Sequence, residues 1–412
     1  MPTPEPPSPD RSAPAGGTAG TDADGAPVTV VFLIEGLGTG GAERSLAELL
    51  PEYRRHGIRS VVARFHDRPE GVEAALRAAG EDIRPVPGRG RAARLRAVRR
   101  LLRAERPALL HTTHFEADVV GRLAAAGTDI PVLTTLASPP YLPVRLQDRR
   151  VHPAKLRAVR AIDGLTARHL TAHIHAVSEA VASQAVTALG VPRQRITVVH
   201  RGRDRGRLGE PTPARRAAAR HALGCTATQP VLLAVGRHEY AKGHIDAVRA
   251  LPVVRARHPD AVLVIAGRDG ATSGELRAAI AELDLADHAR LLGHRDDIGD
   301  LLCAADVLVA PSLYEGSPGA VLEAMAMAVP VVASDFAGVG EVVRPDETGI
   351  VVPMHAPEAL GTALADLLDD DGRRRALGDA ARAAFEAHHS MAASGAAMAS
   401  LLRRRRRRTA PR

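Results

Sequence analysis

Two glutamates lie eight positions apart in the segment 305–334, and the residues around them suit a phosphate-bearing ligand. We expect Ser317 to be the N-cap of a helix and Pro318 its first residue, which places Glu315 in the preceding loop and Glu323 in the second turn. The unpaired N–H groups and the dipole of a helix start favour a diphosphate. The two carboxylates would accept hydrogen bonds from hydroxyl groups on either side of it, as in a nucleotide sugar. For an isolated pair at this spacing, a loop residue and a surface residue on an amphipathic helix would be the better explanation.

A second segment brings two positive charges to the end of another predicted strand. Arg237 and Lys242 follow Gly236, directly after the apolar run 231–235. Negative charge grows on a diphosphate as it leaves a sugar, and these two side chains would stabilise that charge without a metal ion. The alternative is that both are solvated cations of a loop.

Two histidines are candidates for the other side of the site. His111 and His114 end a predicted strand and face the presumed cleft, where we expect them on the acceptor side. A metal site at this pair would need further ligands, which we do not find in the sequence. The aspartates in 22–24 fall in an N-terminal leader, and those in 369–371 fall at a solvated helix end. We therefore predict no metal ion and no cofactor.

The elements that must position these residues alternate between strands and helices. In the first half a glycine-rich turn with Gly40 and Gly41 joins the first strand to a helix over 42–56. Alternating strands and helices predict parallel sheets, and ligands bind at the carboxyl ends of such strands. The sequence thus predicts an α/β fold of two doubly wound, Rossmann-like domains that face a central cleft. The strands are predicted at 28–34, 60–65, 108–112, 132–136, 174–177, 196–199, 231–235, 261–266, 290–292, 307–310, 331–334 and 350–352.

The 412 residues exceed what one core usually organises, which agrees with two domains. We predict a disordered leader over 1–26, an N-terminal Rossmann-like acceptor domain over 27–205 and a junction over 206–229. A C-terminal Rossmann-like nucleotide-sugar domain follows over 230–385, and 386–412 is predicted to be a helix end with an arginine-rich tail.

The composition predicts where in the cell the protein is found and which partners it has. The two cysteines lie far apart, no stretch of ~18 apolar residues occurs, and the start of the chain has no apolar core. We therefore expect a cytoplasmic protein. The run Arg403–Arg408 supplies six charges of the net +8, and we expect it to tether the chain to an anionic membrane surface at the inner face. With 2% aromatic residues, specific nucleic-acid binding is not expected.

Several of these motifs together resemble the retaining glycosyltransferases of family 4, also called glycosyl transferases group 1, which have the GT-B fold. The resemblance is carried by the segment 305–334, by Gly236-Arg237 with Lys242-Gly243, and by the turn Gly40-Gly41-Ala-Glu-Arg. It spans roughly residues 28 to 385 and implies a retaining hexosyltransferase that moves a sugar from a nucleotide diphosphate donor to a hydroxyl acceptor. That acceptor would be a glycan, a lipid-linked sugar or a small molecule.

The resemblance also implies a role for each motif residue. Glu315 would approach the hydroxyls of the donor sugar, Glu323 would hold the ribose, and the amides of 319–321 would hold the phosphates. Glu315, Arg237 and Lys242 are the predicted catalytic residues. The donor-binding residues are predicted to be Gly40, Gly41, Gly236, Arg237, Lys242, His294, Arg295, Ile298, Glu315, Gly316, Ser317, Pro318, Gly319, Ala320, Val321 and Glu323.

The chain departs from the family pattern at two places. Ala137 stands where many relatives have a histidine at the reaction centre, and the segment 200–204 has the sequence His-Arg-Gly-Arg-Asp in place of Pro-Asn-Gly-Val-Asp. These changes leave two alternatives to a transferase of the same architecture. One is a nucleotide-sugar epimerase, and the other is a catalytically silent nucleotide-sugar-binding protein.

Overall fold

The computed structural model describes residues 27–139 and 141–406, which form two parallel sheets flanked by helices. The N-terminal sheet has seven strands and the C-terminal sheet has six. Every pair of neighbouring strands is parallel. The predicted fold class is therefore confirmed.

The strands are short and mostly apolar, because helices cover both faces of each sheet. The N-terminal sheet comprises β1 (Val28–Gly36), β2 (Ile58–His66), β3 (Asp82–Pro85), β4 (Leu109–Thr113), β5 (Val132–Leu136), β6 (His173–Ala176) and β7 (Ile196–Val198). The C-terminal sheet comprises β8 (Val231–Val235), β9 (Val262–Ala266), β10 (Ala289–Gly293), β11 (Val307–Ala310), β12 (Val331–Ser334) and β13 (Ile350–Val352). The N-terminal sheet has the order β3-β2-β1-β4-β5-β6-β7 and the C-terminal sheet the order β10-β9-β8-β11-β12-β13.

The first seven helices are α1 (Gly41–Arg55), α2 (Glu73–Ala78), α3 (Arg91–Glu105), α4 (Phe115–Ala125), α5 (Pro153–Leu170), α6 (Glu179–Leu189) and α7 (Pro213–Ala222). The others are α8 (His244–Arg257), α9 (Ser273–Glu282), α10 (Ile298–Ala304), α11 (Gly319–Ala326), α12 (Pro357–Asp369), α13 (Asp371–His388) and α14 (Met391–Arg405). Helix α7, in the segment predicted as the junction, packs on α10 of the C-terminal domain.

One strand of the structure was not predicted. β3 lies at the edge of the N-terminal sheet, pairs with β2 through Val61 and Asp82, and has only four residues. Its sequence lacks the apolar run of a buried strand, since Asp82 and Arg84 form an ion pair beside Pro85. Proline and charged residues are tolerated at such an edge because only one side of the strand is hydrogen-bonded.

The last helix returns to the N-terminal domain. α14 packs on α1, and its Leu401 and Leu402 join the core that contains Leu50 and Tyr53. The predicted tail therefore needs correction, because its first three arginines belong to α14 and Arg403 donates a hydrogen bond to the carbonyl of His56. Residues 407–412, like the leader 1–26 and Pro140, lie outside the described residues. Among the described helices, none is long and apolar enough to span a membrane.

Candidate donor site between the two domains

The glutamate motif lies at the carboxyl edge of the C-terminal sheet. Glu315 is in the loop after β11, where its Oε1 accepts a hydrogen bond from Ser312 Oγ at 3.1 Å. The same carboxylate forms an ion pair with Lys242, which follows β8. Adjacent strands β8 and β11 thus bring the two motifs together. Gly243, directly after Lys242, has a φ of +59°, and a Cβ there would lie 1.9 Å from the carbonyl oxygen of Pro311. The turn that carries Lys242 therefore requires glycine at this position.

Helix α11 begins between the two glutamates. Its first residue is Gly319 and its N-cap is Pro318, one position later than predicted, and no side chain caps it. The first N–H to reach a carbonyl is that of Leu322, which donates to Pro318 at 3.1 Å. The amides of 319–321 therefore have no partner within the helix, which makes this end of α11 a suitable site for an anion.

Glu323 occupies a buried position on α11, with 7% of its surface exposed. Its carboxylate lies 3.5 Å from Arg203 Nε and 3.7 Å from Arg44 Nη1. Both arginines come from the N-terminal half of the chain. The second glutamate of the motif is therefore part of the contact between the two domains.

The loop before α11 approaches the N-terminal domain very closely. A Cβ on Gly316 would lie 2.0 Å from the carbonyl oxygen of Ala137, which follows β5. Only glycine allows this approach of two backbones. The two departures from the family pattern, at 137 and at 200–204, thus lie on the same side of the cleft.

The glycine turn of the N-terminal domain faces the same cleft. Gly40 is the N-cap of α1, and the carboxylate of Glu43 folds back over it, since a Cβ on Gly40 would lie 2.3 Å from Glu43 Oε2. Arg44 extends from this turn towards Glu323. Arg268, after β9, pairs with Glu70 at 2.8 Å and closes the same edge of the cleft.

The other donor-binding candidates lie further from Glu315. The side chain of Arg237 is 62% exposed, and its Nη1 lies 3.9 Å from Glu239 Oε1. Its guanidinium is therefore accessible to solvent. His294, Arg295 and Ile298 follow β10, the edge strand two positions from β8. The Arg295 guanidinium donates to Asp297 at 2.7 Å, which raises the pKa of Arg295 and lowers that of Asp297.

The structure corrects the placement of His111. It lies inside β4, is 6% exposed, and its Nε2 is 2.7 Å from Thr135 Oγ1, which is in turn 2.9 Å from His175 Nδ1. Burial lowers the pKa of His111 to about 3. The imidazole is therefore neutral and buried and packs against Phe32, and its acceptor-side role stays a prediction.

His114 is placed differently. It follows β4, is only partly buried, and is the N-cap of α4 with a φ of +80°. Non-glycine residues adopt this conformation at a cost, and such strain is often found at functional sites. Its acceptor-side role stays a prediction. Among residues 27–139 and 141–406, no three His, Cys, Asp or Glu side chains are arranged to hold a metal ion.

Sequence reasoning did not assign a role to Arg201 or Arg203. Both belong to the segment 200–204 that differs from the family pattern, and the structure brings both into the cleft between α1 and α11. The departure itself was visible in the sequence, but its position against α11 was not.

Two family models match the chain, one for each domain. Residues 39–207 match the model of glycosyltransferase family 4, and residues 216–384 match that of the glycosyl transferases group 1.

Proteins with related sequences are named as glycosyltransferases. The GDP-mannose-dependent monoacylated alpha-(1-6)-phosphatidylinositol monomannoside mannosyltransferase of Corynebacterium glutamicum is 36% identical over 45% of this chain and 50% of its own length. The D-inositol 3-phosphate glycosyltransferase of Xylanimonas cellulosilytica is 30% identical over 67% of each chain. The present chain thus spans half of the first relative and two thirds of the second.

Solved structures agree on the fold. Anabaena HepE in complex with UDP and glucose superposes with a TM-score of 0.81 and 21% identity over 92% of this chain and all of that chain. WaaG, a glycosyltransferase involved in lipopolysaccharide biosynthesis, superposes with a TM-score of 0.74 and 17% identity over 90% of this chain and 99% of its own. Together with the family matches, this places the two Rossmann-like domains in the GT-B fold, and the chain belongs to the family 4 glycosyltransferases of group 1.

Proposed function

We propose that this protein transfers a sugar from a nucleotide diphosphate sugar to a hydroxyl group of an acceptor, with retention of anomeric configuration. The observation that carries the proposal is the meeting of Glu315, Lys242 and the first turn of α11 at one cleft. A carboxylate, a cation and unpaired amides are the groups that a sugar diphosphate requires. The GDP-mannose dependence of one relative and the UDP in HepE support a nucleoside diphosphate as the leaving group.

The reaction we propose needs no nucleophile from the protein. The bond between the sugar C1 and the diphosphate oxygen breaks while C1 bonds to the acceptor oxygen on the same face. The acceptor proton passes to the departing diphosphate oxygen. Lys242 and Arg237 balance the negative charge that grows there, as does the dipole of α11.

The carboxylates orient the donor in this proposal. Glu315 accepts hydrogen bonds from the sugar hydroxyls, and Glu323 accepts them from the ribose. The base is held near His294, Arg295 and Ile298. The acceptor enters from the N-terminal domain, near His114.

A panel of nucleotide sugars tests the donor class. Selective thermal stabilisation by UDP-glucose, GDP-mannose or a related compound would identify the donor, because a ligand that binds only the native state stabilises it. Sugar transfer or slow donor hydrolysis would then support a transferase. Interconversion of sugar epimers would instead support the epimerase, and binding without turnover the silent binding protein.

We expect activity to persist in excess chelator, because Arg237 and Lys242 supply the positive charge at the leaving group. The measurement is the rate of nucleoside diphosphate release with EDTA and with added Mg²⁺. A rate that EDTA abolishes and Mg²⁺ restores would contradict the metal-independent mechanism.

We also propose a cytoplasmic location with peripheral contact to an anionic membrane. The contact is made by the arginines that follow Arg403. Arg404 and Arg405 lie near His173, the first residue of β6, and help to lower its pKa, although burial is the main cause. This is the amino edge of the sheet, opposite the cleft, so membrane contact there leaves the donor site open.

A further inference from the structure

The segment 200–204 carries two arginines into the cleft, and the proposed reaction gives neither of them a role. Arg203 is 4% exposed and Arg201 is half-buried. Guanidinium groups are rarely buried unless they are paired, because desolvation of the charge is costly. The partners of each arginine therefore indicate what it does.

Arg203 is already neutralised by groups from both domains. Its Nη1 donates to Ser45 Oγ at 3.1 Å and lies 3.5 Å from Glu48, while its Nε lies 3.5 Å from Glu323. A Cβ on Gly319 would be 2.4 Å from its Nη2, so the guanidinium lies directly against the start of α11. Arg203 thus positions Glu323 and α11 relative to α1.

Arg201 has a different environment. Within the described part of the chain, its guanidinium has no hydrogen bond and no ion pair within 4.0 Å. It lies beside the first residue of α1, since a Cβ on Gly41 would be 3.3 Å from its Nη1. Burial and the charge of Arg203 lower the pKa of Arg201 to about 10, so the group is still charged at neutral pH.

The other charged groups of the cleft leave Arg201 without a close partner. Glu315 is paired with Lys242, and Glu323 with Arg203. The charges of Glu315, Glu43 and Glu48 oppose the lowering of the Arg201 pKa, but none of these carboxylates lies within 4.0 Å of its guanidinium. Helix α1 starts beside Arg201 with amides that lack helical partners and with the positive end of its dipole. A partly desolvated guanidinium next to a helix start fits a phosphate oxyanion, which it can bind with two parallel hydrogen bonds.

We infer that Arg201 binds a phosphate oxyanion at the start of α1, as a contact from the N-terminal domain that is separate from Arg237 and Lys242. The inference rests on the proposed function for the cleft. Two sources offer this chemistry. One is the distal phosphate of the donor diphosphate, and the other is a phosphate group on the acceptor.

The test uses the full-length protein with Arg201→Gln, which removes the charge, and Arg201→Lys, which keeps it. Arg157→Gln on the exposed side of α5 is the matched control. Calorimetry would measure the binding of UDP, GDP, UMP and GMP, and of inorganic phosphate with and without a saturating nucleoside diphosphate. Thermal unfolding of each variant would verify that it is folded.

The two sources give different results. If Arg201 binds the donor, Arg201→Gln weakens UDP or GDP binding by about 10- to 100-fold and leaves UMP and GMP unchanged. If Arg201 binds the acceptor, Arg201→Gln leaves all four nucleotides unchanged and abolishes phosphate binding to the nucleotide-saturated protein. In both cases Arg201→Lys loses less affinity than Arg201→Gln, because lysine keeps the charge but not the two parallel hydrogen bonds, and Arg157→Gln retains all of it.

Wild-type binding of every probe by folded Arg201→Gln would overturn the inference and leave the proposed function intact. Failure of the wild-type protein to bind UDP or GDP would count against the proposed function instead. In that case, phosphate binding by wild type that Arg201→Gln loses would still support the role of Arg201.

Discussion

Glu315 and Glu323 differ in their partners, and this predicts different kinetic defects. Glu315 contacts Lys242 at the proposed reaction centre, whereas Glu323 is buried between α11 and the arginines of the N-terminal domain. We expect Glu315→Gln to lower kcat with little change in nucleotide affinity, because the sugar hydroxyls lose a charged acceptor near the breaking bond.

Glu323→Gln should instead weaken nucleotide binding by about 10-fold, since a hydrogen bond to a charged group contributes about 1.5 to 3 kcal/mol. Glutamine keeps the shape of the side chain, which limits the damage to Arg203. Steady-state kinetics and direct titration with UDP and GDP separate the two effects. Equal defects in both parameters for both variants would contradict the separate roles.

The buried histidines of the N-terminal sheet predict a pH dependence of stability. Burial lowers the pKa of His111 to about 3 and that of His175 to about 4, below the ordinary value of 6.5. The unfolded chain therefore binds more protons between pH 6.5 and about 4. Their contribution to stability is complete above pH 6.5 and is lost as the pH falls, by about 1.4 kcal/mol per pH unit for each histidine.

Urea unfolding of wild type and His111→Leu between pH 7 and 4.5 measures this effect. The free energy of unfolding should fall less steeply with acid in the variant. The difference between the two slopes should correspond to about one proton fewer taken up on unfolding. The slope is the readout, because the loss of the Thr135 hydrogen bond changes stability at every pH. Parallel slopes would mean that His111 is not the group that titrates.

At the level of elements, the loop between β11 and α11 must fit against the end of β5. In Gly316→Ala the new Cβ would lie 2.0 Å from the carbonyl oxygen of Ala137, so the two domains must separate. We expect kcat/KM to fall by about 100-fold, since displacement of a site by about 1 Å has effects of this size. Each domain keeps its own core, so the melting temperature should change little.

The matched control is Gly274→Ala in α9, where a Cβ meets nothing within 4 Å. This change should leave activity intact and stabilise the chain by about 0.5 to 1 kcal/mol, because glycine is unfavourable inside a helix. Small-angle scattering would detect the domain separation in Gly316→Ala. Wild-type activity and dimensions in that variant would contradict the close fit.

Elements with strong local patterns could be predicted from the sequence, and contacts between distant segments could not. The apolar runs of β5, β8 and β11 gave correct strands, but the four residues of β3 have no such run. The strand that contains His111 ends at Thr113, one residue later than predicted. His111 was therefore expected nearer to the cleft than it lies. The pairing of Arg203 with Glu323 joins residues 120 positions apart, and no local pattern indicates it.

At the scale of the whole molecule, the position of α14 sharpens the test of the membrane proposal. Removal of residues 406–412 leaves Arg403 bound to the end of α1. We expect this deletion to reduce binding to anionic vesicles at low salt, because it removes cations that the membrane field attracts, and to leave transfer to a soluble acceptor unchanged. A flotation assay at two salt concentrations is the measurement.

A longer deletion that begins at Arg403 is the comparison. It also removes the hydrogen bond to His56 and should lower the melting temperature further than deletion from 406 does. If neither deletion changes the binding to vesicles, the proposed membrane contact is wrong.

The return of α14 to the N-terminal domain also sets an order of events during synthesis. Leu401 and Leu402 cover the face of α1 that carries Leu50 and Tyr53, yet they are translated after the entire C-terminal domain. At 5 to 20 residues per second, the ~200 residues of that domain take roughly 10 to 40 s. During this time the apolar face of α1 stays uncovered on the ribosome, where chaperones can bind it. A premature stop codon before α14 would release a chain in which this face is never covered.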